Sequence, residues 1–376
     1  MDPNPVVTTA PIPFRRKLLY LALIYGLFML FLVAIEGVTR LTLPHLSSLE
    51  LFVTTPEQRM QVATADQSRI FEGDPLLLWR LKPNLDHQLW DYTLVSTNAQ
   101  GLRVDYPTAA KPPGTFRIVC LGDSVTFGYR VPTVWPDRPK DYNPEWLPFP
   151  MLLEKQLRAA NPTRRIEVLP MAVPGYTSRQ GFLWLNRDIN MLQPDLLIVS
   201  FGWNDASFSA IADRYTLNSQ WYVVGLRWLI DRSQAFAHAT QWLRSRSARP
   251  IESKPVSRVS EGEYVANFES IAKLAQSKHS QVIVMGPPYR DSATNPTEAA
   301  LIKSYRLALS ESMRQDDVPY LEIPQLTEAS GSQNSLLFGE LIHPNHLGHR
   351  LIASELLKFM AKEKMTGDLN VPNFIP

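Results

Sequence analysis

The chain has 376 residues, of which 45% are hydrophobic and 20% charged, so it is long enough to bury a full core and fits one large domain with extensions. Its 38 lysines and arginines nearly balance its 36 aspartates and glutamates. This excludes a protein that binds nucleic acid through a large overall excess of positive charge. The single cysteine excludes an internal disulfide framework and a cysteine-cluster metal site.

The first predicted element is a membrane anchor near the N-terminus. Residues Leu18–Ile35 carry no charge, and as a helix they span roughly 27 Å, close to the roughly 30 Å of a bilayer's hydrocarbon core. Arg15, Arg16 and Lys17 directly precede this run, and positively charged flanks stay in the cytoplasm. We therefore expect a single-pass protein with residues 1–17 in the cytoplasm and the remainder in the periplasm or outside the cell.

A cleaved signal peptide and a buried core helix are the alternatives to this anchor. The apolar part of a signal peptide has about 7–15 residues and leads to a cleavage site of small residues. The run here is longer and continues into Glu36 and, four residues later, Arg40, which make a poor cleavage site. A core helix would show a polar face, which Leu18–Ile35 lacks. An uncleaved transmembrane helix is the preferred interpretation.

A juxtamembrane region, residues 36–113, follows the anchor and gives few strong signals. It contains two short predicted strands, Leu76–Trp79 and Leu89–Val95. A Lys-Pro-Pro-Gly breaker ending at Gly114 marks the start of the main domain, which we expect to cover residues 114–365. The remainder is expected to form a C-terminal tail, residues 366–376.

The main domain alternates between apolar strands and amphipathic helices. The predicted strands are Phe116–Leu121, Ile166–Val173, Leu196–Phe201, Val282–Met285 and Tyr320–Ile323. The predicted helices are Pro150–Asn161, Ser178–Leu192 with Ser178 as its cap, Glu263–His279, Thr297–Gln315 and His346–Met360. Strands separated by helices favour parallel pairing, so the pattern predicts an α/β fold with a five-stranded parallel sheet covered on both faces.

Two insertions, at residues 129–149 and 206–262, interrupt this alternation. The first is rich in proline, tryptophan and tyrosine. Its aromatic rings either stack on sugar rings of a substrate or pack against other side chains of the protein. The second contains Trp221–Leu243, whose apolar residues approximate one helical face with arginines nearby. We interpret it as a helix packed on the domain, with a lid or a membrane-surface contact as the alternative.

The candidate catalytic residues lie just after predicted strands, where ligands collect in parallel sheets. Ser124, Gly175 and Asn204 follow the first three strands, and His343 precedes the last helix. A serine hydroxyl becomes a good nucleophile when a base such as histidine takes its proton. The backbone N–H groups of Ser124 and Gly175 and the side-chain amide of Asn204 supply donors for the negative oxygen of a tetrahedral intermediate. These parts together predict acyl transfer.

An acidic residue stands three positions before the histidine. Glu340 can reach the second ring nitrogen of His343 and fix its tautomer, as the acid does in a catalytic triad. Alternatively, Glu340 points elsewhere and leaves a Ser–His dyad whose histidine is held by a backbone carbonyl. Asp123 is interpreted as structural, and Asp205 as a weaker alternative partner for the histidine.

The blocks GDS, G, GxND and HPNxxGH, in this order, resemble the SGNH (GDSL-type) hydrolases over roughly Phe116–Lys362. Gly-Asp-Ser alone is a weak signal, but four ordered blocks beside predicted strand and helix ends are specific. The resemblance implies a flavodoxin-like three-layer fold and ester or amide hydrolysis, with Ser124 as nucleophile, His343 as base and the same three oxyanion donors. Glu340 departs from the family, which usually has aspartate there.

No metal ion or other cofactor is expected. His343, His346 and His349 are spaced so that they turn around a helix, Pro344 interrupts the first interval, and no H-E-x-x-H pattern accompanies them. The glycines around Ser124 lack the patterns of a phosphate-binding loop.

The leading functional prediction is a membrane-anchored serine esterase that forms an acyl-serine intermediate. Its predicted substrates are acylated glycans of the cell envelope or exported glycans, or lipid esters held near the membrane. An O-acyltransferase of the same fold acting on exopolysaccharide, and a non-catalytic scaffold, are the alternatives. The sequence does not specify the oligomeric state.

Overall fold

The structure is a computed structural model that describes residues 13–48, 51, 69–108, 110–135, 137, 139–209, 211–247, 255–288, 296–323, 337–339 and 342–374. Its strands are β1 (Phe71–Asp74), β2 (Leu78–Leu81), β3 (Gln88–Trp90), β4 (Thr93–Val95), β5 (Thr115–Gly122), β6 (Arg165–Ala172), β7 (Leu196–Ser200), β8 (Phe208–Ser209), β9 (Val256–Ser257), β10 (Gln281–Met285) and β11 (Tyr320–Leu321). Its α-helices are α1 (Phe14–Thr42), α2 (Ser124–Phe127), α3 (Phe149–Ala160), α4 (Ser178–Leu192), α5 (Trp203–Ala206), α6 (Asp213–Thr216), α7 (Trp221–Arg232), α8 (Gln234–Ser247), α9 (Glu261–Ser277), α10 (Pro296–Gln315) and α11 (His346–Lys362).

Five strands form one parallel sheet in the order β11-β10-β7-β5-β6. Counted along the chain within this sheet, the order is the flavodoxin-like 2-1-3-4-5. The prediction of a five-stranded parallel sheet is therefore confirmed. Gly122 at the end of β5 pairs with Ala172 on one side and Ser200 on the other. The carboxyl ends of these three strands thus lie side by side at one edge of the sheet.

The central strand β5 packs against helices on both faces of the sheet. Ile118 and Cys120 point into a cluster that includes side chains of α3 and α11, whereas Val119 and Leu121 point into a cluster that includes α4, α9 and α10. All four side chains are fully buried, and burying each large apolar side chain contributes about 1.5–3 kcal/mol. Cys120 is a core residue, and burial raises the pKa of its thiol.

The region before the sheet contains two antiparallel hairpins. The continuous strand predicted at Leu89–Val95 is wrong, because Asp91 and Tyr92 have positive φ angles of 39° and 62° and turn the chain between β3 and β4. The strand predicted at Leu76–Trp79 begins later, at Leu78. The Asp74 carboxylate accepts hydrogen bonds from the backbone N–H groups of Leu76 and Leu77 and so holds a turn there. At Asp74 these local side-chain-to-backbone bonds override strand propensity.

These hairpins share a core with the sheet. The ring of Trp79 lies edge-on to that of Tyr176, with 5.5 Å between ring centroids, and the Tyr176 hydroxyl donates to the Trp79 carbonyl. Trp90 and Phe71 belong to the same buried cluster. The boundary proposed before Gly114 therefore separates two segments that fold onto each other.

The second insertion does not form the single helix predicted for Trp221–Leu243. The chain breaks at Ser233, whose backbone is extended, and forms two helices that pack against each other, α7 and α8. The Ser233 hydroxyl accepts a hydrogen bond from the N–H of Phe236 in the first turn of α8. A serine that caps the next helix explains the break.

The N-terminal helix α1 extends beyond the predicted span at both ends. Every side chain from Leu18 to Ile35 is exposed. By length and composition α1 is able to cross a membrane, a test that an N-terminal signal sequence also passes.

Gly122, at the edge where the strands end, is expected to tolerate no side chain. A Cβ atom there would lie 2.0 Å from Thr126 Oγ1 and 2.9 Å from the carbonyl oxygen of Ser200. Thr126 is buried, so its side chain has little room to move away. The substitution Gly122→Ala is therefore expected to lower the free energy of unfolding in urea by about 1–3 kcal/mol, as overpacking does.

The matched control is Gly262→Ala in α9, where a Cβ atom meets nothing within 4 Å. Alanine favours a helix more than glycine does, so this variant should be at least as stable as the wild type. Equal stability of the two variants would contradict the tight contact at Gly122.

Candidate active site

Ser124 lies at the carboxyl end of the central strand, in the first position of α2. The Asp123 carboxylate accepts a hydrogen bond from the N–H of Val125 at 3.0 Å and so caps the short helix. Gly128 ends it with a φ angle of 80°, a conformation that glycine adopts at little cost. Ser124 is 8% exposed. The local sequence thus fixes the serine at a sharp strand-to-helix turn, as predicted for its position after the first strand.

His343 reaches this serine from the other end of the chain. Its Nε2 atom lies 2.8 Å from Ser124 Oγ, which is hydrogen-bond distance. The His343 carbonyl accepts from the N–H of Gly339 at 3.0 Å. Asn345 then caps α11 by accepting from the N–H groups of Leu347 and Gly348. The backbone on both sides of the imidazole is therefore held by hydrogen bonds.

Gly348 brings α11 close to the segment that precedes His343. A Cβ atom at Gly348 would lie 2.3 Å from the carbonyl oxygen of Leu337. The glycine of the HPNxxGH block is therefore required by a close backbone approach, which sets the distance between α11 and the histidine loop.

Tyr129 covers the ring of His343, with 4.3 Å between ring centroids and a 38° angle between the planes. Its hydroxyl donates to the Asp91 carboxylate, which also pairs with Arg130 at 3.0 Å. Trp90 lies edge-on to the tyrosine at 5.6 Å. The β3–β4 hairpin therefore orients an aromatic ring on the imidazole. Sequence reasoning counted Tyr129 in the aromatic insertion, and the pattern gave no sign that the hairpin would reach it.

Gly175 and Asn204 belong to the loops that follow the neighbouring strands. Gly175 has a φ angle of 84°. The Asn204 side-chain amide donates to the Tyr176 carbonyl at 3.0 Å and, more weakly, to Asp123 at 3.5 Å. Asn204 therefore connects the loop after β6 with the loop after β5. The structure thus brings Ser124 into contact with His343, and Asn204 into contact with Asp123 and Tyr176, the neighbours of Ser124 and Gly175.

Asp205 does not contact His343 in the described structure. Its buried carboxylate accepts from the backbone N–H of Ser178 at 3.0 Å and from the Ser178 hydroxyl. The N-cap of α4 is Thr177, which has an extended backbone and whose N–H donates to the Gln180 side chain. The predicted cap, Ser178, instead serves as the partner of Asp205.

Burial shifts the pKa values of both acids near the serine upward. Desolvation raises the pKa of Asp123 to about 7 against the opposing hydrogen bonds from Val125 and Asn204. Desolvation likewise raises the pKa of Asp205 to about 8, although its bonds to Ser178 oppose this. The strand-end edge is thus a weakly solvated environment, in which fixed hydrogen-bond donors act strongly on charge.

Arg258, from the second insertion, holds the Gly175 loop. Its guanidinium donates to the Gly175 carbonyl at 2.8 Å and pairs with Asp213 at 3.0 Å, and the arginine is 4% exposed. Asp213 in turn accepts from the Thr177 hydroxyl at 2.8 Å. Sequence reasoning missed this residue, because an isolated arginine in an insertion carries no motif.

The remaining predicted site residue, Glu340, lies outside the described residues. His346 stacks on Trp146, with 3.9 Å between ring centroids and 9° between planes. His349 is fully buried; its Nδ1 atom accepts from the N–H of Phe149 at 3.1 Å, and desolvation lowers its pKa to about 3. Within the described ranges, no group of three or more histidine, cysteine, aspartate or glutamate residues is placed to hold a metal ion.

Removing Arg258 is expected to destabilise the protein and loosen the Gly175 loop. Arg258→Met leaves the buried Asp213 carboxylate without its cation, and such an uncompensated charge costs about 3–5 kcal/mol. Urea unfolding of the full chain measures this loss. The control is Arg214→Met, which breaks an exposed pair with Glu263 and should lower the free energy of unfolding far less. Similar losses in the two variants would show that the buried pair is unimportant.

The chain is similar to several proteins of known structure. Among solved structures, the lipase/acylhydrolase from Enterococcus faecalis is 18% identical and aligns over 68% of this chain and 98% of its own with a TM-score of 0.43. Axe2, an acetylxylan esterase from Geobacillus stearothermophilus, is 14% identical over 65% of this chain and 94% of its own, with a TM-score of 0.40. No curated protein sequence matches the chain.

The family evidence comes from a sequence model. The model of the GDSL-like lipase/acylhydrolase family matches residues 120–351, more than half of the chain. This match covers all four sequence blocks, from the strand before Ser124 to the helix after His343. The chain therefore belongs to the GDSL-like lipase/acylhydrolase (SGNH) family and is a hydrolase with serine esterase activity.

Proposed function

We propose that Ser124 is the nucleophile and His343 the general base of this esterase. The observation that carries the proposal is the 2.8 Å distance between Ser124 Oγ and His343 Nε2. At this distance the imidazole can take the hydroxyl proton as the oxygen attacks a carbonyl carbon. The Tyr129 ring supports the assignment, because it packs on the imidazole and limits its tilt while Nε2 faces the serine.

The proposed oxyanion hole consists of the backbone N–H groups of Ser124 and Gly175 and the side-chain amide of Asn204. Asn204 supports this role because its amide lies between the loops that carry the other two donors. The contact between the Asn204 amide and Asp123 is long, at 3.5 Å. The amide proton that points to Asp123 is therefore available for a stronger acceptor. Donors fixed in a weakly solvated site stabilise a developing oxyanion without reorganisation.

The reaction proceeds by double displacement. Ser124 Oγ attacks the ester carbonyl while its proton moves to His343, and the carbonyl oxygen takes the negative charge in the oxyanion hole. Collapse of the intermediate releases the alcohol, which receives the proton from His343, and leaves an acyl-serine. Water then attacks the acyl-serine and gives its proton to His343. The bond between the acyl carbon and Ser124 Oγ breaks, His343 returns the proton to Oγ, and the carboxylic acid and the free serine are released.

Glu340 is proposed to orient His343. Its position three residues before the histidine is the sequence observation behind the proposal. A carboxylate at the second ring nitrogen fixes the tautomer that leaves Nε2 free to accept the serine proton.

We further propose that α1 anchors the enzyme in a membrane, with the catalytic domain in the periplasm or outside the cell. The support is an uninterrupted apolar run, Leu18–Ile35, whose side chains all project away from the protein. Exposure of so much apolar surface to water is unfavourable, and a bilayer removes it. Arg15, Arg16 and Lys17 support a cytoplasmic N-terminus. Anchoring favours large or lipid-like substrates, namely acylated envelope or exported glycans or lipid esters.

The assignment of the base is tested by His343→Ala in the full chain. Turnover of a soluble ester is expected to fall at least about a thousandfold, because the serine loses its proton acceptor. Ser124→Ala serves as the control: it should abolish covalent labelling by a serine-reactive phosphonate, which the folded wild type should show. A loss of turnover smaller than tenfold would contradict His343 as base.

Glu340→Gln is the comparison that separates orientation from proton transfer. Glutamine keeps a side chain of the same length, so the loss of turnover should be smaller than in His343→Ala. Equal and complete loss in both variants would show that the carboxylate charge itself is indispensable.

A further inference from the structure

Helices α7 and α8, here called the aromatic helix pair, expose an unusual amount of apolar surface. Trp221 is 84% exposed, Trp228 46% and Trp242 52%. Four further large apolar side chains of the same two helices are also exposed, namely Tyr222, Leu226, Leu229 and Leu243. So many large apolar side chains exposed on two packed helices of a folded protein indicate a contact with a less polar partner.

The orientation of α7 is fixed with its apolar face outward. Trp221, Trp228 and Leu229 recur at helical spacing on the exposed side, whereas Arg227 and Ile230 are buried on the opposite side. The Arg227 guanidinium donates to the carbonyls of Pro75 and Thr216. An arginine held inward while tryptophans face outward is the reverse of what water favours, so the helix is built for a less polar environment.

The helix pair is attached to the end of the apolar run in α1. Glu36, the residue after that run, accepts hydrogen bonds from the Ser233 hydroxyl at 2.7 Å and from the N–H groups of Gln234 and Ala235 at 2.9 Å and 3.1 Å. One helical turn later, Arg40 donates to the Arg232 carbonyl at 2.9 Å. Glu36 thereby caps α8, which places the corner between the two helices within about one turn, roughly 5 Å, of the apolar boundary.

The juxtamembrane segment adds a second attachment. The side chain of Gln234 exchanges two hydrogen bonds with the backbone of Leu46, at 2.8 Å and 2.9 Å. Asp231 accepts from the backbone N–H and hydroxyl of Ser48. The position of the helix pair relative to α1 is thus set by several independent bonds.

The charge of the helix pair suits the surface of an anionic bilayer. Arg232 lies over the ring of Trp228 at 4.3 Å, and Arg246 lies over that of Trp242 at 4.0 Å. Tryptophan rings favour the headgroup level of a bilayer, and arginines beside them can reach lipid phosphates.

We propose that the aromatic helix pair lies in the headgroup layer of the bilayer that α1 crosses, with its tryptophans between the lipids and its arginines at the phosphates. This inference rests on the proposed membrane anchoring by α1. Because Arg227 bonds α7 to the catalytic domain, the contact fixes the orientation of that domain on the membrane.

The test places a nitroxide label on cysteine variants of the full chain in vesicles of phosphatidylcholine and phosphatidylglycerol. Trp228→Cys and Trp242→Cys probe the helix pair, with Trp221→Cys as a third position if one of these fails to fold. Leu23→Cys probes the anchor, and Leu307→Cys is the matched control, exposed on α10. The native Cys120 is buried, so it does not react in the folded protein.

Electron paramagnetic resonance then compares collisions of each label with oxygen, which concentrates in lipid, and with a nickel chelate, which stays in water. The oxygen-to-nickel ratio is expected to be severalfold higher at positions 228 and 242 than at 307, and highest at 23. A ratio at 228 and 242 equal to that at 307, with position 23 in lipid, overturns the proposal but leaves the anchor intact.

Two other outcomes also overturn the proposal and are distinguishable from the first. A water-like ratio at position 23 contradicts anchoring by α1 and the proposal together. Immobile labels at 228 and 242 that are shielded from both reagents show that a protein, and not lipid, covers the helix pair.

Discussion

The hydrogen bond between Ser124 and His343 is the interaction on which the rest of the site depends. It joins two residues 219 positions apart, so it depends on the sheet and the helices that position both segments. The serine is held by β5 and the helix that follows, and the histidine by the hydrogen-bonded loop that leads into α11. The chemistry is therefore a consequence of how the two ends of the domain meet.

The segments that carry Ser124 and His343 come together because the backbone approaches neighbouring atoms closely at two glycines. At Gly122 and Gly348 a side chain would overlap atoms of the neighbouring segment. The loops on either side are tied by buried polar groups, among them Arg258 with Asp213 and Asp205 with Ser178. Each of these groups has a partner, so their burial positions the loops without leaving unsatisfied charge. The enzyme combines a rigid edge of the sheet with a poorly solvated surface around the serine.

The sequence was sufficient to predict those parts of the fold that follow from periodicity and strand order. The five parallel strands are short apolar runs separated by amphipathic helices, and this pattern has few alternative arrangements. The four blocks that carry the candidate site were recognisable because each stands where a strand ends or a helix begins. Long-range convergence at Ser124 followed from the sheet topology.

Elements controlled by single side chains were not predictable in this way. The turn at Asp91 depends on two positive φ angles, and the break at Ser233 depends on a local hydrogen bond to the next helix. Both interrupt an otherwise continuous apolar pattern. Tyr129 and Arg258 act on the site through contacts that only the folded chain creates. The outward orientation of the tryptophans on α7 likewise depends on Arg227 being buried on the other side.

A crystal structure of the full chain inhibited by a phosphonate ester tests the central claim most directly, since the tetrahedral phosphorus mimics the intermediate. The account predicts that phosphorus is bonded to Ser124 Oγ and that its non-ester oxygen lies about 3 Å from the Gly175 N–H and the Asn204 amide. A phosphonate attached to another residue, or a phosphoryl oxygen pointing into solvent away from these donors, would contradict it.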